Sequence, residues 1–403
     1  MAVLNGYRHF IGRHWETGSV CNAYAYRGVN APHTGEPYSE ALLLGISGGI
    51  VIGYFSFAYQ GYDPHVAILT RNTFDPLDTL LERLGVVQQI QQTARPAQGL
   101  ANLLETLESG LPALVWADVF SLPYNGLARD EGMWQMYPIL VYGYDAAQDT
   151  VWIADRARVP LAVTTTELAA ARARVKKDKF RVLSLGAPDP RKLASAVHKG
   201  IWDTLKLFTD RPPKGSPENF GFAAYHRWAE LLVNSKPKNS WAKVFPPGRP
   251  LVAGLTAAFF SIIQNNPEAD AERLAYAAFL DEARQILEKP ALAEAAQLFR
   301  RSAQVWKELA AALLPGEVPL LAELRALMVR QQQAFLEAGG AALPDILAAG
   351  RRLEDLKKES AADFPLAPDE IRRLLEGLRE QVLRVSEVER AAVVALQAAM
   401  VEG

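Results

Sequence analysis

The sequence predicts an α+β region followed by an all-α region, on three observations. Up to about Gly186, helix-like periodic runs are interleaved with short β-branched and aromatic runs. After Ala187-Pro188-Asp189-Pro190 the strand-like runs stop and long Ala/Leu-rich amphipathic runs take over. A chain of 403 residues is too long for one ordinary core, so two domains are expected, 1–186 and 187–403.

In order along the first region, helices are predicted over Glu16–Tyr26 and Tyr38–Leu44, and strands near Ile50–Phe57 and Val66–Thr70. A helix over Pro76–Leu84, a helix over Gly99–Ser109 and a strand over Ala113–Asp118 follow. The apolar run Ile139–Tyr144 and the β-branched and aromatic run Thr150–Ala154 are joined by the polar Asp145-Ala146-Ala147-Gln148-Asp149, the signal of a β-hairpin. The glycine-rich Gly45-Ile46-Ser47-Gly48-Gly49-Ile50 lacks the Gly-x-Gly-x-x-Gly spacing and reads as a turn. The same glycines and serines make Ala41–Tyr59 a buried turn between packed elements rather than a membrane span.

In the second region, helices are predicted over Ala269–Glu288, Ala291–Leu314, Leu320–Ala338 and Pro368–Met400. Pro315, Gly316, Gly339, Gly340, Pro365 and Pro368 mark their boundaries. The segments 211–216 and 235–240 read as solvated loops.

A net charge of -2, with Lys and Arg interspersed among Asp and Glu, excludes a nucleic-acid-binding face from the expected functions. One cysteine excludes an internal disulfide framework. No long apolar stretch follows the basic residues of the N-terminus, so a cytoplasmic protein with no membrane partner is expected. A phosphate-binding glycine loop, a His-Glu-x-x-His helix and a Cys-x-x-Cys pair are all missing, and the six histidines are scattered, so no metal or cofactor is expected.

The stretch Met136–Asp155 resembles the histidine-bearing hairpin of papain-like cysteine enzymes, in which Cys, His and an orienting carboxylate meet in space. In such enzymes the cysteine sits at the first turn of a helix, where the dipole and free N–H groups favour a thiolate and bind an oxyanion. The matching segment is Gly12-Arg13-His14-Trp15-Glu16-Thr17-Gly18-Ser19. Together with Ser39-Glu40, the 45–50 turn, Asp118, Leu122-Pro123-Tyr124, Gly143-Tyr144-Asp145 and Ala154-Asp155-Arg156, it resembles the N-terminal domain of the butirosin biosynthesis protein H family. The segments 161–174 and 272–283 extend the resemblance into the helical half, to cover roughly residues 5–315. The resemblance implies a papain-like fold and acyl transfer, the family's type member moving an aminoacyl group from an acyl carrier protein to an aminoglycoside amine. It also implies a helix-initial His-Cys motif, where this chain has His14-Trp15, and a histidine where it has Tyr137. Asp155 stands at the orienting carboxylate.

Tryptophan has no nucleophilic atom, so a thioester through Trp15 is chemically impossible. A phenol titrates near pH ~10, so Tyr137 donates a hydrogen bond at neutral pH. Cys21 lies six residues on, about 9 Å along a helix, and reads as a small buried hydrophobe. Thr17 and Ser19 have only His14 nearby as a base, and His14 itself reads as a structural hydrogen bond at the helix start. Asp155 either orients a catalytic partner or accepts a hydrogen bond from Tyr137 or a backbone amide. Asp118 with Tyr124 either lines a cleft or forms a turn. Glu40 is expected in a first helical turn, and the aromatic run Met133–Tyr144 in core packing.

Three functions are expected in order. The first is a protein that keeps the family's cleft without thiol chemistry and binds a small molecule, a peptide or a carrier-linked acyl group through Trp15, Glu16, Thr17, Asp118, Tyr124, Tyr137 and Asp155. The second is an enzyme of secondary metabolism, an acyl transferase or amide hydrolase, with Tyr137, Asp155 and His14 as acid, base or orienting groups. The third is a structural partner that self-associates through its C-terminal helices.

Overall fold

The computed structural model describes residues 1–127 and 132–401, which form two compact units, each discontinuous in sequence. Unit one comprises Met1–Leu43, Leu77–Leu193 and Gln333–Leu347; unit two comprises Leu44–Pro76, Ala194–Gln332 and Ala348–Gly403. In chain order the elements begin β1 (Ala2–Val3), α1 (Trp15–Tyr26), α2 (Glu40–Ile46), β2 (Ile50–Phe57), β3 (His65–Arg71) and α3 (Pro76–Arg83). They continue with β4 (Gln88–Gln91), α4 (Pro96–Glu108), β5 (Ala113–Asp118), β6 (Met136–Asp145), β7 (Thr150–Ala154), β8 (Leu161–Val163), α5 (Thr165–Ala173) and β9 (Val182–Leu185). The remaining elements are α6 (Leu193–Thr209), α7 (Gly221–Val233), α8 (Trp241–Val244), α9 (Arg249–Ile263), α10 (Arg273–Ile286), α11 (Leu292–Leu313), α12 (Pro319–Ala338), α13 (Leu343–Ala362) and α14 (Pro368–Val401). Among the described residues no strand follows β9, as the composition shift at Ala187 predicts.

Unit one is built on a seven-stranded antiparallel sheet in the order β4-β9-β5-β6-β7-β8, with β1 also paired to β6. From Pro138 to Asp145 every residue of β6 is buried, which is why its sequence is a continuous apolar run rather than an alternating one. The hairpin β6–β7 forms as predicted, with β6 starting three residues earlier, at Met136 instead of Ile139. Helix α1 packs on β6 and is buried without a break from Glu16 to Tyr24. Its entry depends on two glycines. A Cβ on Gly12 would stand 2.3 Å from the Gly18 Cα, so only glycine lets the incoming chain cross the first turn of the helix.

Besides the two-residue β1, three strands of unit one carry no sequence signal. The segment Gln88-Gln89-Ile90-Gln91 is too polar to read as β, and β8 and β9 are too short for a period to show. Helix α5 does have a signal, a capping box between Thr164 and Glu167, beneath a nearly featureless alanine run.

In unit two the antiparallel hairpin β2–β3 is backed by α7 on β2 and α9 on β3, and α10, α11, α14 and α7 pack successively. At their centre Arg273 and Glu389, both fully buried, pair at 2.6 Å. Tyr225, Ser302 and Trp306 also donate to the Glu389 carboxylate, so its lone pairs are satisfied by protein groups. The helix expected from Ala269 starts only at Arg273, because Ala269, Ala271 and Glu272 adopt left-handed φ of 59°, 51° and 68°. The Asp270 side chain accepts the Glu272 N–H at 3.1 Å and so turns the chain into α10. Among the described residues no helix is long and apolar enough to cross a membrane.

Candidate functional site

All of the candidate site residues named from the sequence lie in unit one. Trp15 opens α1 and Tyr137 is the second residue of β6, opposite Ala117 of β5. Their rings stack, with centroids 4.0 Å apart and planes 8° from parallel. The hydroxyl of Tyr137 accepts a long hydrogen bond, 3.4 Å, from Gln135 Nε2. The fold therefore brings together the two positions that the resemblance pairs as cysteine and histidine, and places an aromatic stack there.

His14 occupies the N-cap position of α1 without capping it through its side chain. Glu40, in the first turn of α2, instead holds the backbone that leads into the helix. Its Oε2 accepts the Arg13 N–H at 2.7 Å and its Oε1 accepts the His14 N–H at 2.9 Å. The same Oε1 lies 3.2 Å from His14 Nδ1 and accepts the Thr17 hydroxyl at 3.2 Å. Burial pushes the Glu40 carboxyl up, but the attraction of His14 and the hydrogen bonds from His14 and Arg13 outweigh it and hold the group below its ordinary value. A carboxylate at a helix N-terminus is also favoured by the free N–H groups there.

Thr17, His14 and Glu40 thus contain the chemical parts of a hydroxyl–imidazole–carboxylate triad, but not its geometry. In a working triad the base addresses the nucleophile with one ring nitrogen and the carboxylate with the other. Here Thr17 Oγ1, at 3.4 Å, and Glu40 Oε1 crowd the same Nδ1, and Thr17 is fully buried. Cys21 is buried, and its Sγ donates to the Tyr38 carbonyl at 3.1 Å. Glu16 is buried in the first turn of α1.

Asp155 follows β7 and is 2% exposed. Its phenol donor is Tyr124, at 3.0 Å on Oδ2, where the sequence suggested Tyr137. Burial first, and then the Asp155 charge, raise Tyr124 well above the ordinary phenol value, so it stays protonated as a donor. Arg156 supplies the counter-charge, with Nε 3.1 Å from Oδ1 and Nη2 3.3 Å from Oδ2. Asp118 is fully buried and holds turns together: Oδ1 accepts the Gln135 N–H at 3.0 Å, and Oδ2 accepts Ser121 Oγ at 2.7 Å and pairs with Arg174 at 3.2 Å. The aromatic run before and within β6 serves several ends. Tyr142 stacks on Tyr7 at 4.2 Å, while Trp134 is 53% exposed with Lys176 4.7 Å from its ring.

Two residues of this region escaped the sequence reading. The Arg156 guanidinium lies over the Trp15 ring at 4.2 Å and over the Phe335 ring at 4.9 Å, and Nη2 donates to Asn125 Oδ1 at 2.5 Å. Arg156 was visible as the last residue of Ala154-Asp155-Arg156. Phe335 was not: it arrives on the end of α12, held in unit one by the Arg158 N–H donating to the Leu336 carbonyl at 2.8 Å, and it also stacks on Tyr124 at 6.3 Å. Among the described residues no group of three or more His, Cys, Asp or Glu side chains is placed to hold a metal ion.

Residues 14–156 match the family model for the N-terminal part of butirosin biosynthesis protein H. No match is found among the curated proteins. The matched segment opens at His14 and closes at Arg156, so it holds the Trp15–Tyr137 stack, Asp155 and the guanidinium, and leaves out Phe335. Over residues 14–156, and over that part alone, this chain is similar to the N-terminal part of butirosin biosynthesis protein H.

Proposed function

We propose that unit one is a papain-like domain related to acyl-transfer proteins of secondary metabolism, and that it binds a small molecule, a peptide or a carrier-linked acyl group beside Trp15 and Tyr137 without thiol chemistry. The observation that carries this reading is the 4.0 Å stack of Trp15 on Tyr137. Two rings in van der Waals contact offer neither a nucleophile nor a base near neutral pH, whereas an aromatic wall beside a buried carboxylate suits recognition. The arrangement of the surrounding elements supports the fold assignment: α1 packs on β6, Trp15 sits in its first turn, Tyr137 near the start of β6, and Asp155 just after β7.

The test is a melting-temperature screen of the full chain against amines, short peptides and acyl-thioesters, since a ligand that binds only the folded state raises its stability. At a ligand concentration 100 times its dissociation constant, the gain is about 2.7 kcal/mol. At least one class is expected to raise the wild-type melting temperature and to lose that effect in Trp15→Ala. No shift from any class would sink the binding reading.

A further inference from the structure

Arg156 fills a box with the parts of a cation receptor. Two aromatic rings, Trp15 and Phe335, lie 4.2 and 4.9 Å from its guanidinium carbon. Its nitrogens meet the Asp155 carboxylate at 3.1 and 3.3 Å and the Asn125 side-chain carbonyl at 2.5 Å. Ring faces attract a cation through their quadrupole, and a planar fork of donors matches a carboxylate.

The backbone supplies a second, independent observation. Arg156 has φ 46°, in the left-handed region that non-glycine residues seldom enter. The residue whose side chain closes the box thus also has a sparsely populated backbone conformation, in a turn closed by the Ala157 N–H donating to the Asp155 carbonyl. The carboxylate does not depend on Arg156 for its orientation, because Tyr124 donates to it at 3.0 Å.

We propose that this box is a receptor for an organic cation, a guanidinium or primary ammonium group carried by the ligand, and that the Arg156 side chain is its built-in occupant, displaced on binding. The proposal rests on the reading of unit one as a ligand-binding domain and names the chemistry of the ligand. Charge decides between a cation and a neutral group. Asp155 is 2% exposed, so once Arg156 leaves, a neutral ligand strands a buried carboxylate with no counter-charge, whereas a cation restores the pair.

The experiment is calorimetric titration of methylguanidinium, and of its neutral analogue methylurea, into the full-length wild type, Arg156→Gly and Arg156→Ala. Methylguanidinium is expected to bind both vacated variants about tenfold or more tightly than the wild type, equivalent to about 1.4 kcal/mol of relieved competition. Methylurea is expected not to bind, and adding Asp155→Asn to Arg156→Gly is expected to abolish the gain. Arg156→Lys keeps a charge in the box and guards against a folding failure; it is expected to bind methylguanidinium more tightly than the wild type does. The proposal is overturned if methylguanidinium binds none of the three variants better than the wild type, or if methylurea binds as well. A neutral ligand from the melting screen whose affinity is the same in wild type and Arg156→Gly would also overturn it, while leaving the ligand-binding reading of unit one intact.

Discussion

The indole of Trp15 and the phenol ring of Tyr137 lie parallel, with centroids 4.0 Å apart. One comes from the first residue of a helix and the other from the start of a strand, so the stack is a tertiary contact between α1 and β6. Such a pair is worth about 0.5–1.5 kcal/mol beyond the area it buries. Urea unfolding of Trp15→Ala, Tyr137→Ala and the double variant is expected to give a coupling energy in that range. Additive effects within error would mean that the rings only adjoin.

Glu40 should matter more to unit one than its place in a short helix suggests. Glu40→Ala removes the acceptor of two backbone N–H groups and the partner of His14 and Thr17, for an expected loss of about 2–4 kcal/mol. The pH dependence has a definite sign. A carboxyl held below its unfolded value of 4.5 contributes stability that is present above that pH and lost as pH falls through the lower folded value. Denaturation curves of wild type and Glu40→Gln are therefore expected to converge below pH 4.5. A constant gap down to the acid unfolding limit would contradict the assignment.

Asp270 should act in the opposite sense. Burial, and then repulsion from Glu272, raise its carboxyl from 3.8 to about 6. The folded state therefore holds this proton more tightly than the unfolded chain does. The associated stability is complete below pH 3.8 and lost as pH rises through about 6. Melting temperatures of wild type and Asp270→Asn measured across that window should show Asn gaining on Asp as pH rises, because its amide keeps an oxygen for the Glu272 N–H and carries no charge. A difference that stays flat with pH would rule this out.

How far the sequence reached depended on the range of the interaction. Helix α1, strands β2, β3 and β5 and the hairpin β6–β7 are each specified by their own apolar pattern, and each was legible. The start of α10 was not, because the left-handed turn at 269–272 interrupts a run of good helix formers. In the site, Trp15, Tyr137 and Asp155 could be singled out because each stands in a local motif. The partner of Asp155 could not, because Tyr124 and Tyr137 are both phenols and only the fold chooses between them. Phe335 reaches the site from a remote part of the chain, with nothing local to announce it. Charge was also more clustered than composition suggested: Asp178 is the only acid in the stretch 172–181, which holds Arg172, Arg174, Lys176, Lys177, Lys179 and Arg181.

The central claim, recognition without thiol chemistry at the Trp15–Tyr137 stack, is tested most directly by steady-state cleavage of a panel of acyl-thioesters by wild type and Tyr137→Phe. Both are expected to turn over the panel at the uncatalysed rate and to remain unmodified by intact mass. A wild-type rate clearly above background that Tyr137→Phe abolishes would contradict the claim and make the Tyr137 hydroxyl part of a working catalytic site.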